Sequence, residues 1–130
     1  MVRRYFGALS SGNVDAAVDL LADDGEFRTP MGAMNEKASI RFYLGSFEDA
    51  FPKATYDLDY LVEERGTVAA EGVYRATHTG PMMLPDGTSL PGTGRNVSAP
   101  FVTMFEVADG LIMSHRPYWD LAAFMAQITG

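Results

Sequence analysis

Few side chains in this sequence can move a proton near neutral pH. The two histidines are His78, in the run RATHTG, and His115, in SHRPYWD. Each falls near the end of an apolar-leaning stretch that reads as a strand. An imidazole there can serve as acid, base or hydrogen-bond donor. The plain alternative for both is a half-buried strand histidine satisfied by a neighbour. Arg75 sits within Val73-Tyr74-Arg75-Ala76-Thr77. Pointing into the concave side of a sheet, its guanidinium would orient an anionic or carbonyl substrate; pointing out, it is a surface arginine. Asp120 can be a catalytic carboxylate or simply the N-cap of a following helix.

Other chemistries drop out. The chain has no cysteine, which excludes disulfides, thiolate zinc sites and cysteine nucleophiles. Two separated histidines make no metal-ligand spacing, so no metal and no cofactor is expected. Gly92-Thr93-Gly94 lacks the strand–turn–helix setting of a nucleotide loop. Asn96-Val97-Ser98 is a glycosylation sequon only if the chain is secreted. No G-x-S-x-G elbow occurs. Ten basic residues against seventeen acidic ones give a net charge of −7, which argues against a nucleic-acid partner. The apolar runs are too short to span a membrane, and the N-terminus lacks a signal-peptide h-region, so a cytoplasmic protein is expected.

These groups need a scaffold. A length of 130 residues fits one domain, 1–130, able to bury about two thirds of its unfolded surface. Val2, Tyr5, Phe6 and Leu9 make one helical stripe, closed by Ser11-Gly12. Asn13 caps a second helix carrying Val14, Ala17, Val18 and Leu21. Asp23-Asp24-Gly25 reads as a turn, and Glu26 to Thr29 as a short strand. A third helix runs from about Asn35 to Phe51 and stops at Pro52. Tyr56, Leu58, Tyr60 and Val62 then alternate with Asp57, Asp59, Leu61 and Glu63, a strand with one wet face. Glu64-Arg65-Gly66 turns into a second strand, Thr67 to His78. Asn96 to Ala108 and Leu111 to Trp119 form a hairpin around Asp109-Gly110. Leu121, Phe124, Met125 and Ile128 make a final helical stripe. The order predicts an α+β fold, with helices on one face of a mostly antiparallel sheet.

Between the strands lies GPMMLPDGTSLPGTG, residues 80–94, with three prolines and four glycines. Pro85-Asp86-Gly87 signals a tight turn, so a small hairpin tip fits. Fifteen residues exceed what a connector needs, which points to a lid or rim; a disordered hairpin end is the alternative. Eight methionines and fourteen Phe/Tyr residues, with Trp119, supply soft and flat apolar walls. Most must be core. Met82, Met83 and Met104 lie by or beyond the irregular segment, where the mouth of an apolar site would fit.

The chain resembles the NTF2-like superfamily, most closely its SnoaL-like polyketide cyclase and ketosteroid-isomerase-like branch. The resemblance rests on VRRYFGALSSGNVDAAVDLLADDGEFRTPMG with its P-x-G, on AFPKATYDLDYLVEERGTVAAEGVYRATHTG with its THTG ending, and on MFEVADGLIMSHRPYWDLAAFMAQITG. It implies a cone: a curved sheet wrapped by three N-terminal helices and a short C-terminal helix around an apolar pocket. It also implies a homodimer.

The family's catalytic positions are only partly kept. Tyr5 matches the helix tyrosine of ketosteroid isomerases, but Thr29 and Thr103 stand where those enzymes carry two Asp. SnoaL-type cyclases place an Asp in an H-R-D-like run; here Pro117 follows His115-Arg116. Limonene-epoxide-hydrolase-like members use an Arg and two Asp; Arg75 matches the Arg, while Thr77 and Pro117 replace the carboxylates. A threonine cannot take a carbon-bound proton near pH 7. Either His115 or His78 therefore holds the acid/base role, or Asp120 reaches the pocket through a bulge, or the pocket binds without reacting. The expected walls are Tyr5, Phe6, Tyr43, Phe47, Thr103, Phe105, His115 and Trp119, with Thr29, Thr77, His78, Pro117 and Asp120 near by. The leading function is cofactor-free isomerase, cyclase or hydrolase chemistry on a small apolar carbonyl compound. His115 would be the base, with Tyr5, Thr103 or Arg75 polarising the oxygen. The alternative is a non-catalytic ligand-binding or scaffold protein.

Overall fold

Helix formation follows the apolar spacing closely. A computed structural model describes residues 1–84 and 86–130, so Pro85 of the expected Pro85-Asp86-Gly87 turn lies outside the described residues. Helix α1 spans Val2–Ser10 and buries Val2, Tyr5, Phe6 and Leu9. Helix α2, Val14–Val18, is capped by the Asn13 side chain, which accepts from Ala16 N–H at 3.0 Å. It is shorter than its stripe suggested, because Leu21 already belongs to a strand. Helix α3 runs Lys37–Ala50 and α4 runs Leu121–Thr129. Asp120 caps α4, accepting from Ala123 N–H at 2.9 Å. Gln127 of α4 docks it on the sheet through both Ser98 backbone groups, at 2.8 and 3.1 Å. No helix among the described residues is long and apolar enough to cross a membrane.

The strands are β1 (Leu21–Thr29), β2 (Gly32–Met34), β3 (Thr55–Glu64), β4 (Thr67–Thr77), β5 (Met82–Met83), β6 (Ser89–Leu90), β7 (Asn96–Ala108) and β8 (Leu111–Trp119). Six of them form one sheet in the order β2-β1-β8-β7-β4-β3. All neighbours are antiparallel except β1 and β8, which run parallel. The helices cover one face, as the element order implied. Fully buried Phe27, Phe51, Phe105 and Phe124 lie in that layer. Each stabilises the fold by roughly 1.5–3 kcal/mol through removal from water.

Three strand readings need correction, each for a backbone reason. Asp23-Asp24-Gly25 is not a turn: it lies inside β1, where the pairing with β8 shifts between Leu21 and Glu26. Tyr60 and Val62 do not share a face with Tyr56 and Leu58. The β3–β4 register slips between Leu58 and Tyr60, leaving Asp59 unpaired, and one extra residue sends every later side chain to the opposite face. Tyr60 and Val62 are consequently 67% and 64% exposed. The described residues of the segment 80–94 are also more ordered than its composition suggested. Met82 and Met83 pair with Ser89 and Leu90, and Thr79 and Gly80 N–H both donate to Ala50 O. Gly80 and Gly92 pass so close to the Asp49 and Thr79 carbonyls that a Cβ at either would collide with backbone. The two ends of the segment are therefore pinned.

Candidate active site

The site is built around His115, and a bulge aims it. On β8, Ile112 pairs with Val107 and Ser114 with Glu106, which leaves Met113 without a partner. The slip lets Ile112 and His115 both face inward despite their odd spacing. Beyond it, alternation carries Pro117 and Trp119 to the same cavity as His115. Pro117 lies past the last β1–β8 pair, Phe27 with His115, where β8 has a neighbour on one side only. Its missing N–H is tolerated there.

His115 is ringed by aromatics. Its centroid lies 4.4 Å from Phe27 on β1, 4.8 Å from Phe105 on β7 and 5.0 Å from Tyr5 on α1. Neither ring nitrogen has a hydrogen-bond partner, and neither does the Tyr5 hydroxyl. Burial pushes the His115 pKa down to about 3, because nothing near it stabilises the charged ring. Burial pushes Tyr5 well above its usual range, with Tyr56 and Tyr43 adding to the effect. The imidazole is thus neutral with a free lone pair, and the phenol is a fixed donor.

Both line a cavity of about 80 Å³ between the helices and the sheet. Phe6 and Leu9 come from α1, Tyr43, Leu44 and Phe47 from α3, and Phe124 from α4. The sheet adds Phe27, Tyr56, Tyr74, Ala99, Phe101, Thr103, Pro117 and Trp119. No charged residue is among these linings. Burial pushes the Tyr43 pKa up to about 12, with Thr29 acting the other way to a smaller extent. Tyr56 and Tyr74 are also raised by burial.

The expected residues divide cleanly. Tyr5, Phe6, Tyr43, Phe47, Thr103, His115, Pro117 and Trp119 come together at the cavity. Phe105 lies behind His115 instead of lining the space. Thr29 is buried beside the cavity, but its hydroxyl closes the β1–β2 turn, donating to Gly32 O and accepting from Met31 N–H. The structure does not bring Arg75, Thr77, His78 or Asp120 to it. Arg75 is on the outer face, paired with Asp57 at 2.5 Å. Thr77 donates to Asn96 on the neighbouring strand. Asp120 is occupied as a cap, with no bulge turning it inward. His78 is buried against Phe51, and its Nδ1 lies 3.1 Å from the Thr93 hydroxyl and accepts from Thr93 N–H. Tyr56 and Tyr74 were missed, although they face each other across β3 and β4. Strict alternation from Val68 through Ala70 and Gly72 marks Tyr74 as inward and Arg75 as outward. Among the described residues there is no cluster of three or more potential metal ligands.

A family model for the SnoaL-like domain matches residues 2–115. The chain belongs to the SnoaL-like domain family. Solved structures agree on the fold. A candidate SnoaL-like polyketide cyclase from Jannaschia sp. CCS1 superposes with a TM-score of 0.86 at 22% identity, covering 99% of this chain and 89% of that one. IdmH, a candidate polyketide cyclase from Streptomyces antibioticus, gives 0.80 at 24% identity, with 99% and 96% covered. A protein of ketosteroid-isomerase-like fold from Catenulispora acidiphila, in complex with trimethylamine, gives 0.78 at 19% identity, with 98% and 90% covered. At these identities the likeness is one of fold: the NTF2-like arrangement of helices on a curved sheet. Among curated proteins none matches the chain.

Proposed function

We propose that the cavity takes a small apolar carbonyl compound and moves a proton on it without a cofactor. One observation carries the reading. Tyr5 Oη and both His115 nitrogens are buried without partners in one apolar space. Each such atom costs about 1–3 kcal/mol if left unsatisfied, so the arrangement favours a guest that supplies partners. A ketone or related carbonyl does so. Its oxygen accepts from the Tyr5 hydroxyl, and an adjacent C–H faces the His115 lone pair.

In the step, a His115 nitrogen takes the proton from carbon. The C–H electron pair becomes the enolate double bond, and the carbonyl π pair moves to oxygen. Tyr5 donates a hydrogen bond to that oxygen as charge develops, a stabilisation that is strong where water is excluded. The enolate charge gives the imidazolium the partner that apolar burial otherwise denies it. In a β,γ-unsaturated ketone, return of the proton to the γ carbon of the dienolate completes an isomerisation. Attack of the enolate carbon on a second carbonyl sends that carbonyl's π pair to its oxygen, and the alkoxide takes the proton back from the imidazolium to complete a cyclisation. Thr103, buried next to Pro117, is a second hydroxyl at the same wall. A homodimer on the exposed sheet face, where Tyr60, Val62 and Tyr118 stand out, belongs to the same reading, and sedimentation equilibrium decides between one chain and two.

The test is exchange of ketone α-hydrogens for deuterium, followed by NMR in heavy water with butanone, small enough for the inner cavity. Wild type should accelerate exchange over buffer. His115→Gln should lose roughly two to four orders of magnitude of that acceleration, the usual contribution of a general base. The absence of any carboxylate from the lining supports a second reading, a binding protein without catalysis. Butanone bound without accelerated exchange would select it.

A further inference from the structure

The inner cavity is small. About 80 Å³ is roughly half the volume of a 150 Å³ apolar cavity that binds benzene. Directly outside it is a much larger space of about 500 Å³, between the β1–β2 turn, the outer side of α3 and the β5–β6 hairpin. The two spaces share Tyr43 and Phe47, one turn apart on α3, with ring centroids 5.1 Å from each other. These two rings are therefore a partition, with His115 on one side and the larger chamber on the other.

The chamber's chemistry is distinctive. Four of the chain's eight methionines line it: Met31 and Met34 from one side, Met82 and Met83 from the other. Phe42 stands at its rim, 63% exposed, and Met83 is 51% exposed. No charged side chain is among its described lining residues. Large apolar groups left this wet are costly unless something covers them. Flexible thioethers suit guests of variable shape better than a single rigid fit. A two-residue hairpin pinned by Gly80 and Gly92 against α3 and Thr79 holds Met82 and Met83 in place over the chamber.

We propose that the methionine-lined chamber is a second subsite for the same ligand. The ligand is an elongated apolar carbonyl compound. Its oxygenated head enters past Tyr43 and Phe47 to Tyr5 and His115, and its chain or ring system stays among the methionines. The inference rests on the proposed function for the head group; the chamber sets which tails are accepted. The shared partition argues for one guest spanning both spaces, since a guest held by the inner cavity alone has little room. The apolar, uncharged lining argues for a hydrocarbon tail over a peptide or an anionic carrier.

The test uses linear methyl ketones from butanone through hexanone and octanone to decanone. Binding is read from the fluorescence of Trp119, the single tryptophan, which lines the inner cavity. Affinity should rise about fourfold for each added methylene until the chamber is filled. With methyl-labelled methionine, decanone should shift the Met31, Met34, Met82 and Met83 resonances and leave Met1, Met104, Met113 and Met125 in place. Met83→Glu and Met34→Glu should flatten the chain-length dependence, while His115→Gln should lower affinity across the series and keep the slope. An unchanged slope in both methionine variants, or decanone binding no tighter than butanone, overturns the second subsite. Chain-length dependence that survives with no effect of His115→Gln or Tyr5→Phe keeps the chamber and overturns the head-group assignment. No binding by any ketone overturns both. A change of oligomeric state in Met83→Glu and Met34→Glu, with no change of slope, would make the chamber a contact between chains and overturn the subsite.

Discussion

The two histidines of this chain are both buried, yet they are held in opposite ways. His78 sits at the end of β4 with its backbone N–H donating to Arg95 O and its carbonyl accepting from Gly94 N–H. Its Nδ1 accepts from the backbone of Thr93. That ring is built into the wall that carries the segment 80–94. His115 is flanked by phenylalanines on both neighbouring strands and makes no side-chain hydrogen bond. One imidazole fastens a loop through Nδ1, with its Nε2 unpartnered; the other has neither nitrogen engaged. The difference teaches that burial alone does not mark a functional histidine. What marks it is burial in an apolar space with its lone pair unspent and a donor, Tyr5, beside it.

The comparison breaks most visibly in catalysis, where His115→Gln should abolish nearly all acceleration of α-exchange and a His78 variant that still folds should not. The next largest effect is on stability against pH. His115 has its pKa lowered in the folded state to about 3, against 6.5 unfolded. Between those values the unfolded chain binds a proton that the folded chain refuses. Stability is therefore fully present above pH 6.5 and is lost as pH falls toward 3, by on the order of 5 kcal/mol from this group. His78 is lowered too and acts in the same direction. Urea unfolding from pH 7 down to pH 4 should show the fall, and His115→Gln should make it markedly shallower. An equally steep fall in that variant would mean that carboxylates govern it.

Smaller effects sharpen the contrast. His78→Leu strands the Thr93 N–H and should destabilise the fold by about 1–3 kcal/mol in urea. Tyr5→Phe removes an unpartnered hydroxyl and should leave stability equal or raised while binding weakens, the signature of a group kept for a ligand. Arg75→Ala breaks an exposed ion pair and should cost less than about 1 kcal/mol, with no change in exchange rate. A loss of exchange there would restore the arginine to the chemistry.

Much of this was legible in the residues. The helical stripes, the Asp109-Gly110 hairpin and the caps Asn13 and Asp120 are local signals with local causes, and all appear. The seven aromatic and polar walls Tyr5, Phe6, Tyr43, Phe47, Thr103, His115 and Trp119 followed from period and from resemblance together. What was not legible was set by bulges. The unpaired Asp59 sends Tyr60 and Val62 outward, and the unpaired Met113 brings Ile112 and His115 to one face. A bulge depends on the partner strand, so no window of one strand can reveal it. Arg75 and Thr77 were a different kind of miss. Family position placed them near the chemistry, while alternation along β4 already put them on the face opposite Tyr74 and His78.

If His115 is the ring kept for a guest and His78 is not, the two imidazoles respond differently to a ligand. With two imidazoles in the chain, nitrogen NMR of histidine-labelled protein at pH 7 reads each ring separately. On addition of butanone, the His115 nitrogens should shift and the His78 nitrogens should stay. A His78 shift without one at His115, or no shift at either while Trp119 reports binding, would contradict the account.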